Sequence, residues 1–215
     1  EGLGGMSKLR FLDMTGNRLS SLPASTAMLQ ELWAVGLSEC AFKQFPEVLC
    51  TLLNLRKIGF YNNAIDRLPS SIGNLCLLEK LDLSGNNLTE LPAEIGKLTR
   101  LTWLNVSHNQ LVRLPAELGQ LPWLEELGAS NNQLVELPDF SRCPKLHILA
   151  VFNNKLTHVG EQVIRLAALT KLDVSNNQIE SVDERVFALP ALSFLNLKEN
   201  PLRAISDDVR PGRML

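Results

Sequence analysis

Cysteine is scarce and scattered in this chain: four residues in 215, at Cys40, Cys50, Cys76 and Cys143, with no C-x-x-C pair among them. That spacing offers neither a disulfide framework nor a thiolate cluster for zinc, and free thiols suit a reducing compartment. An excess of one charge is lacking too. The net charge is −2, which leaves no basic footprint for nucleic acid or for an anionic membrane surface. Long apolar runs are missing, because polar residues interrupt every two or three positions, so no membrane span is legible. Glu1 is followed by no charged-then-apolar leader. The three histidines, His108, His147 and His158, show no H-x-x-x-H or mixed His/Cys spacing. No G-x-S-x-G, P-loop or G-x-G-x-x-G stretch occurs, and Cys40 has no evident base. No catalytic centre, metal or cofactor is implied. The chain reads as a non-enzyme.

What is present is a repetition. Leu78, Leu81, Leu83, Asn86, Leu88, Leu91, Pro92, Ile95 and Leu98 recur, 23 residues later, as Leu101, Leu104, Val106, Asn109, Leu111, Leu114, Pro115, Leu118 and Leu121. A fixed period of this size marks a solenoid, in which each repeat buries its apolar side only against its neighbours. Counting each repeat from its first leucine, nine starts fall at Leu9, Leu29, Leu55, Leu78, Leu101, Leu124, Leu146, Leu169 and Leu192, making residues 1–215 one solenoid. Leu3, Met6 and Leu9 copy the spacing of Ile95, Leu98 and Leu101, so the sequence is expected to begin inside a preceding repeat, as a fragment would. Val209 fills the slot of Ile95, after which Pro211-Gly212 breaks the pattern.

Inside a repeat, the L-x-L segment alternates apolar and polar residues, the period of a half-buried strand. One such strand per repeat predicts a parallel sheet along the concave side. An asparagine follows at 17, 63, 86, 109, 132, 154, 177 and 200. Its amide can bond backbone groups that the tight bend strips from the ladder. The L-P-x-x-I-G-x-L portion then returns along the convex side, where proline favours a short turn or 3-10 piece over a long helix. Repeat two is irregular. With Leu29 as its start, Leu37 takes the asparagine slot and three extra residues precede Phe42, which predicts a loop at 38–41.

The pattern L-x-x-L-x-L-x-x-N-x-L-x-x-L-P-x-x-I-x-x-L resembles the leucine-rich repeat family. Its Leu-Pro-x-x-Ile-Gly form, clearest in Leu68–Leu75, Leu91–Leu98 and Leu114–Leu121, is similar to the intracellular, Ras-pathway-like class. It fades toward the C-terminus, where Gly160, Asp183 and Ser206 replace the proline. The resemblance implies an α/β solenoid: a curved horseshoe with a parallel concave sheet and short turns or 3-10 segments outside. The cysteine-rich caps usual in extracellular members are missing, so a cytoplasmic setting is expected. The implied role is a scaffold or adaptor holding a protein partner, with a small GTPase, a phosphatase or another signalling protein as the class. Two other roles stay open: the targeting part of a larger kinase, GTPase or ubiquitin ligase, and a receptor or surface ectodomain, which glycosylation of the Asn87-Leu-Thr89 triplet would reveal.

Candidate contact residues come from the concave face, at positions three, five, seven and eight of each repeat. The usual filler there is Asp82 with Ser84 and Asp173 with Ser175. Departures from it are informative, since exposed aromatics on a rigid surface are favoured binding anchors. Trp33, Val35, Lys57 and Tyr61 form one departure. Trp103, Asn105, His108, Glu126, Ile148 and Phe152 form a second, with Gly128 and Ala150 clearing its floor. Phe194, Lys198 and Glu199 form a third. The plainer alternative is that these rings only stack on one another and dry the sheet.

Overall fold

The computed structural model describes residues 2–203. Eleven short strands occur there in chain order: β1 Phe11–Asp13, β2 Ala34–Gly36, β3 Lys57–Gly59, β4 Lys80–Asp82, β5 Trp103–Asn105, β6 Glu126–Gly128, β7 Ile148–Ala150, β8 His158–Val159, β9 Lys171–Asp173, β10 Ser181–Val182 and β11 Phe194–Asn196. Nine of them form one parallel sheet in the order β1-β2-β3-β4-β5-β6-β7-β9-β11. Leu81, Leu104, Leu127, Leu149 and Leu172 point into a continuous core, while their neighbours Asp82, Asn105 and Asp173 remain partly exposed. The expected register therefore holds. Within this curved solenoid every repeat leans on the next, so core burial, about 1.5–3 kcal/mol per leucine side chain, is shared between neighbours.

Pairing corrects the reading of repeat two. β2 aligns Ala34 with Phe11 and with Lys57, and Val35 with Leu12 and with Ile58. Leu32, not Leu29, thus holds the first position, and Leu29 closes repeat one as Leu98 closes repeat four. Val35 is a core residue, 3% exposed, rather than a surface one. No insertion exists at 38–41. Cys40 simply takes the asparagine slot, with its Sγ 3.5 Å from the Met14 carbonyl. Two leucines three residues apart offered two phases, and the missing asparagine removed the landmark that separates them.

Elsewhere the asparagines act as inferred. Asn109 Nδ2 donates to the carbonyls of Leu83 at 2.9 Å, Val106 at 3.0 Å and Ser107 at 3.2 Å. Its Oδ1 accepts from the Leu88 amide at 2.9 Å. The same set recurs at Asn63, Asn86, Asn132, Asn154 and Asn177. Just before this slot the chain turns with positive φ in all nine repeats, at Gly16, Glu39, Asn62, Gly85, His108, Asn131, Asn153, Asn176 and Glu199.

The convex side carries 3-10 segments at Ala24–Met28, Glu47–Thr51, Ser70–Asn74, Ala93–Lys97 and Ala116–Gln120, each preceded by a proline. The glycine of the motif lets these segments close up. A Cβ on Gly119 would fall 2.0 Å from the Asp139 carbonyl oxygen, and one on Gly96 would fall 2.6 Å from Glu117 Cβ. Where proline gives way to Gly160 and Asp183, the backbone N–H returns and the architecture changes. β8 and β10 pair there as a separate two-stranded parallel sheet, and the Asp183 amide donates to the Val159 carbonyl. The positions 206 and 209–212 lie outside the described residues.

Candidate binding face

Strand pairing sets the central departure in three rows. Trp103, Glu126 and Ile148 are register partners at position three, and Asn105, Gly128 and Ala150 at position five. Ser107, Ser130 and Phe152 continue them at position seven. Trp103 and Ile148 are half-buried and Phe152 is exposed, so apolar surface flanks a strip that has almost no side chains. The strip is not bare. Asn105 Oδ1 lies 2.8 Å from where a Cβ on Gly128 would stand, so the missing side chain is the space into which Asn105 leans. Glu126 leans toward the strand start, with its Oε1 3.8 Å from His147 Nε2. The concave rings do not stack on one another. The close ring pairs among the described residues are Phe42 with Phe60 and Phe45 with Phe60, all in the core.

His108 joins the patch in an unforeseen way. It occupies the positive-φ turn, with its Nε2 3.2 Å from Asn131 Nδ2. Asn153 donates to Asn131 at 2.6 Å, and Asn176 donates to Asn153 at 3.1 Å. An exposed ladder of amides therefore runs along the trailing edge of the sheet, beside Phe152. The signal in the sequence is the doubled asparagines 131–132, 153–154 and 176–177, whose first members form this outer row and whose second members fill the inner slot.

The N-terminal departure does not assemble. Trp33 sits at position two, ahead of β2, while Tyr61 sits at position seven, past β3. These are opposite edges of the sheet. Lys57 turns toward Trp33, its Nζ 5.5 Å from the ring centroid. Tyr61 instead neighbours Glu39, whose carboxylate is the main cause of pushing the tyrosine hydroxyl's ionisation above its usual range. The concave row there opens with Phe11, exposed and overlooked in the sequence because Asp13 beside it follows the usual filler. Trp123 was overlooked as well. It is exposed on the leading edge, with Lys145 Nζ 3.5 Å from its ring centroid. In the last departure, Phe194 is exposed beneath Lys171, and Lys198 lies 3.8 Å from Glu199. Among the described residues, no group of three metal-ligating side chains is placed to hold a metal ion, and no helix is long and apolar enough to cross a membrane.

A one-strand-per-repeat parallel sheet, stitched by an asparagine ladder and backed by short 3-10 turns, defines a repeat solenoid. Comparison with known families agrees: the leucine-rich repeat region model matches residues 34–142, and leucine-rich repeat models match 140–208 and 8–29. The chain belongs to the leucine-rich repeat family. Among solved structures, a leucine-rich-repeat protein of Leptospira interrogans is 31% identical with a TM-score of 0.89, over 93% of this chain and 51% of that one. The Toll–Spätzle complex of Drosophila matches at 26% identity and a TM-score of 0.78, over 92% of this chain and 28% of that one. The ectodomain of the Arabidopsis thaliana receptor kinase GASSHO1/SCHENGEN3, solved with Casparian strip integrity factor 2, matches at 28% identity and 0.77, over 92% and 28%. This chain thus spans about half the length of the bacterial protein and less than a third of the other two. No curated protein matches it.

Proposed function

We propose that this chain is a binding scaffold that holds a protein partner on its concave face and does no chemistry of its own. Leucine-rich repeats are typically non-enzymatic binding scaffolds, and two of the structures it resembles are complexes, one of Toll with Spätzle and one of a plant membrane receptor kinase ectodomain with Casparian strip integrity factor 2. One observation carries the choice of face. Trp103, Ile148 and Phe152, from repeats five and seven, set apolar surface on either side of a low strip at Gly128 and Ala150, into which only the short side chains of Asn105 and Ser107 lean. The sheet already fixes these groups, so docking orders little of the scaffold. The Leu-Pro-x-x-Ile-Gly repeats support the intracellular class, and with it a small GTPase, a phosphatase or another signalling protein as partner. The unpaired state of all four cysteines supports a cytoplasmic setting.

The test is to capture a partner with this chain, then measure its affinity for Trp103→Ala and Tyr61→Ala side by side. Trp103→Ala is expected to weaken binding by about 2 kcal/mol or more, as at a flanked, desolvated anchor, and to leave the denaturant midpoint nearly unchanged. Loss at Tyr61 with none at Trp103 would move the contact to the N-terminal end. Loss at neither would remove it from the concave face.

A further inference from the structure

The leading edge of the sheet holds two cavities walled by tryptophan and arginine. One, about 410 Å³, is lined by Arg10, Glu31, Trp33 and Arg56 among others. Both arginines there are already paired. Arg10 Nε lies 3.5 Å from Glu31, and Arg56 Nη1 donates to Glu79 at 2.9 Å. The second cavity, about 370 Å³, is lined by Glu79, Arg100, Thr102 and Trp123. Its polar walls are engaged except for one. Glu79 is held by Arg56, and the Thr102 hydroxyl donates to the Glu79 carbonyl at 3.1 Å. Arg100 makes no ion pair among the described residues. The same edge arrangement thus appears twice, with its cations matched at Trp33 and an unmatched one at Trp123.

Trp123 is 50% exposed. Arg100, Trp123 and Lys145 each precede the first leucine of three successive repeats, so the ring stands between two cations. Lys145 Nζ covers it from the side of repeat seven, 3.5 Å from the ring centroid. The cavity opens on the side of repeat five, where Arg100 and Thr102 lie. What faces solvent there is an indole with a guanidinium beside it. An aromatic ring laid against indole gains more than the area it buries, and a carboxylate matches the forked donors of a guanidinium.

Charge selects the sign. A cationic ring would enter beside Arg100 with Lys145 behind the indole, and like charges repel. The one carboxylate in the walls, Glu79, already serves Arg56. Glu125, one repeat on from Thr102, is not among the walls. The volume falls at the small end of ligand pockets, about 300–1,000 Å³, and suits a single ring.

We infer that this cavity binds an aromatic carboxylate, with its ring against Trp123 and its carboxylate on the Arg100 guanidinium. The site stands apart from the concave-face reading, because none of its walls belongs to the central patch.

Three tryptophans give the test its own controls. The indole N–H resonances of Trp33, Trp103 and Trp123 are followed in the full 215-residue chain during titration with 3-phenylpropionate, its amide, phenethylamine and propionate. The expected result is a saturable shift at Trp123 alone, with 3-phenylpropionate tighter than its amide by about fivefold, the upper end for an exposed ion pair. Phenethylamine and propionate should not saturate. Arg100→Gln should lower 3-phenylpropionate to the affinity of its amide and leave the amide as before. Arg100 is exposed, so unchanged Trp33 and Trp103 resonances will confirm that the variant folds. Equal or tighter binding of the amide or of phenethylamine overturns the inference. So does a carboxylate preference that survives Arg100→Gln, a response at Trp33 as large as at Trp123, or no saturable shift up to the solubility limit. A parallel titration with the peptide Gly-Ser-Gly-Phe separates two sources of the same chemistry. Tighter binding than 3-phenylpropionate supports the site as one for a chain terminus, and weaker binding supports it as one for a free small molecule.

Discussion

The joint between repeats four and five and the joint between repeats one and two use the same slot with different chemistry. At the first, Asn109 gives three donor contacts and one acceptor, and its Oδ1 holds the Leu88 amide of the preceding repeat. At the second, Cys40 offers a single long contact to the Met14 carbonyl. A thiol is a weak donor without a carboxamide oxygen, so the Leu19 amide lacks the acceptor that Leu88 and Ile65 have. The strands still pair in full register at both joints. The asparagine is therefore a fastener of the stack and not a condition for its geometry. Buried leucines place the strands, and the amide decides how firmly adjacent repeats hold.

Breaking the strong joint should have the largest effect. Asn109→Ala strands buried backbone groups of two repeats and is expected to cost about 1–3 kcal/mol, read as a fall in the denaturant midpoint at constant slope. A change no larger than that of a surface mutant would overturn the ladder account. Repairing the weak joint should have a smaller effect of opposite sign. Cys40→Asn supplies bonds to Met14 and Leu19 and is expected to stabilise by about 1 kcal/mol. A loss of stability there would mean that the slot at 40 is shaped for sulfur.

Thiol labelling sharpens the contrast without mutation. Cys40 is half-buried at the weak joint, so local opening should expose it well before Cys143, which is fully buried and whose thiol is pushed up to about 11 by that burial. Mass spectrometry of a timed labelling reaction gives the order. Because the folded state keeps the Cys143 proton longer than the unfolded state, whose exposed thiol loses it near 9.0, this group lowers stability as pH rises from 9 toward 11. Ser107→Ala, on the sheet face of the strong joint, removes one bond, that from the Ser130 amide, where Asn109→Ala removes four, so it is expected to cost less, about 1 kcal/mol.

The same comparison explains how much was legible in the sequence. Where leucine spacing and asparagine agree, in repeats three to nine, strand positions and the buried face followed from periodicity alone. At repeat two the asparagine is Cys40, and the phase slipped by three residues to Leu29. That slip moved Val35 from the core to the surface and joined Trp33 to Tyr61 across the width of a sheet. The placement of Trp103, Glu126 and Ile148 in one row of the sheet followed from the sequence, because their repeats keep every landmark. The tilt of Asn105 over Gly128 and the unmet hydroxyl of Ser130 were not legible, since both depend on where side chains settle after the backbone is fixed. The second amide row is spelled out in the sequence, but its bonds depend on a left-handed turn that periodicity does not reveal.

Parallel strands, one per repeat, also make the concave face a ruler. Neighbouring strands stand about 4.8 Å apart, while a polyproline II segment advances about 3.1 Å per residue and returns to the same face at every third residue. Two repeats and three residues therefore measure nearly the same length, roughly 10 Å. Trp103 and Ile148 are two strands apart in one row. A partner segment laid straight across the strands would meet them with side chains three positions apart, and would fall out of step with every single repeat between. Contact at alternate repeats is then a matter of commensurate lengths, and a partner reading every repeat would have to arch, or turn its backbone, as it crosses.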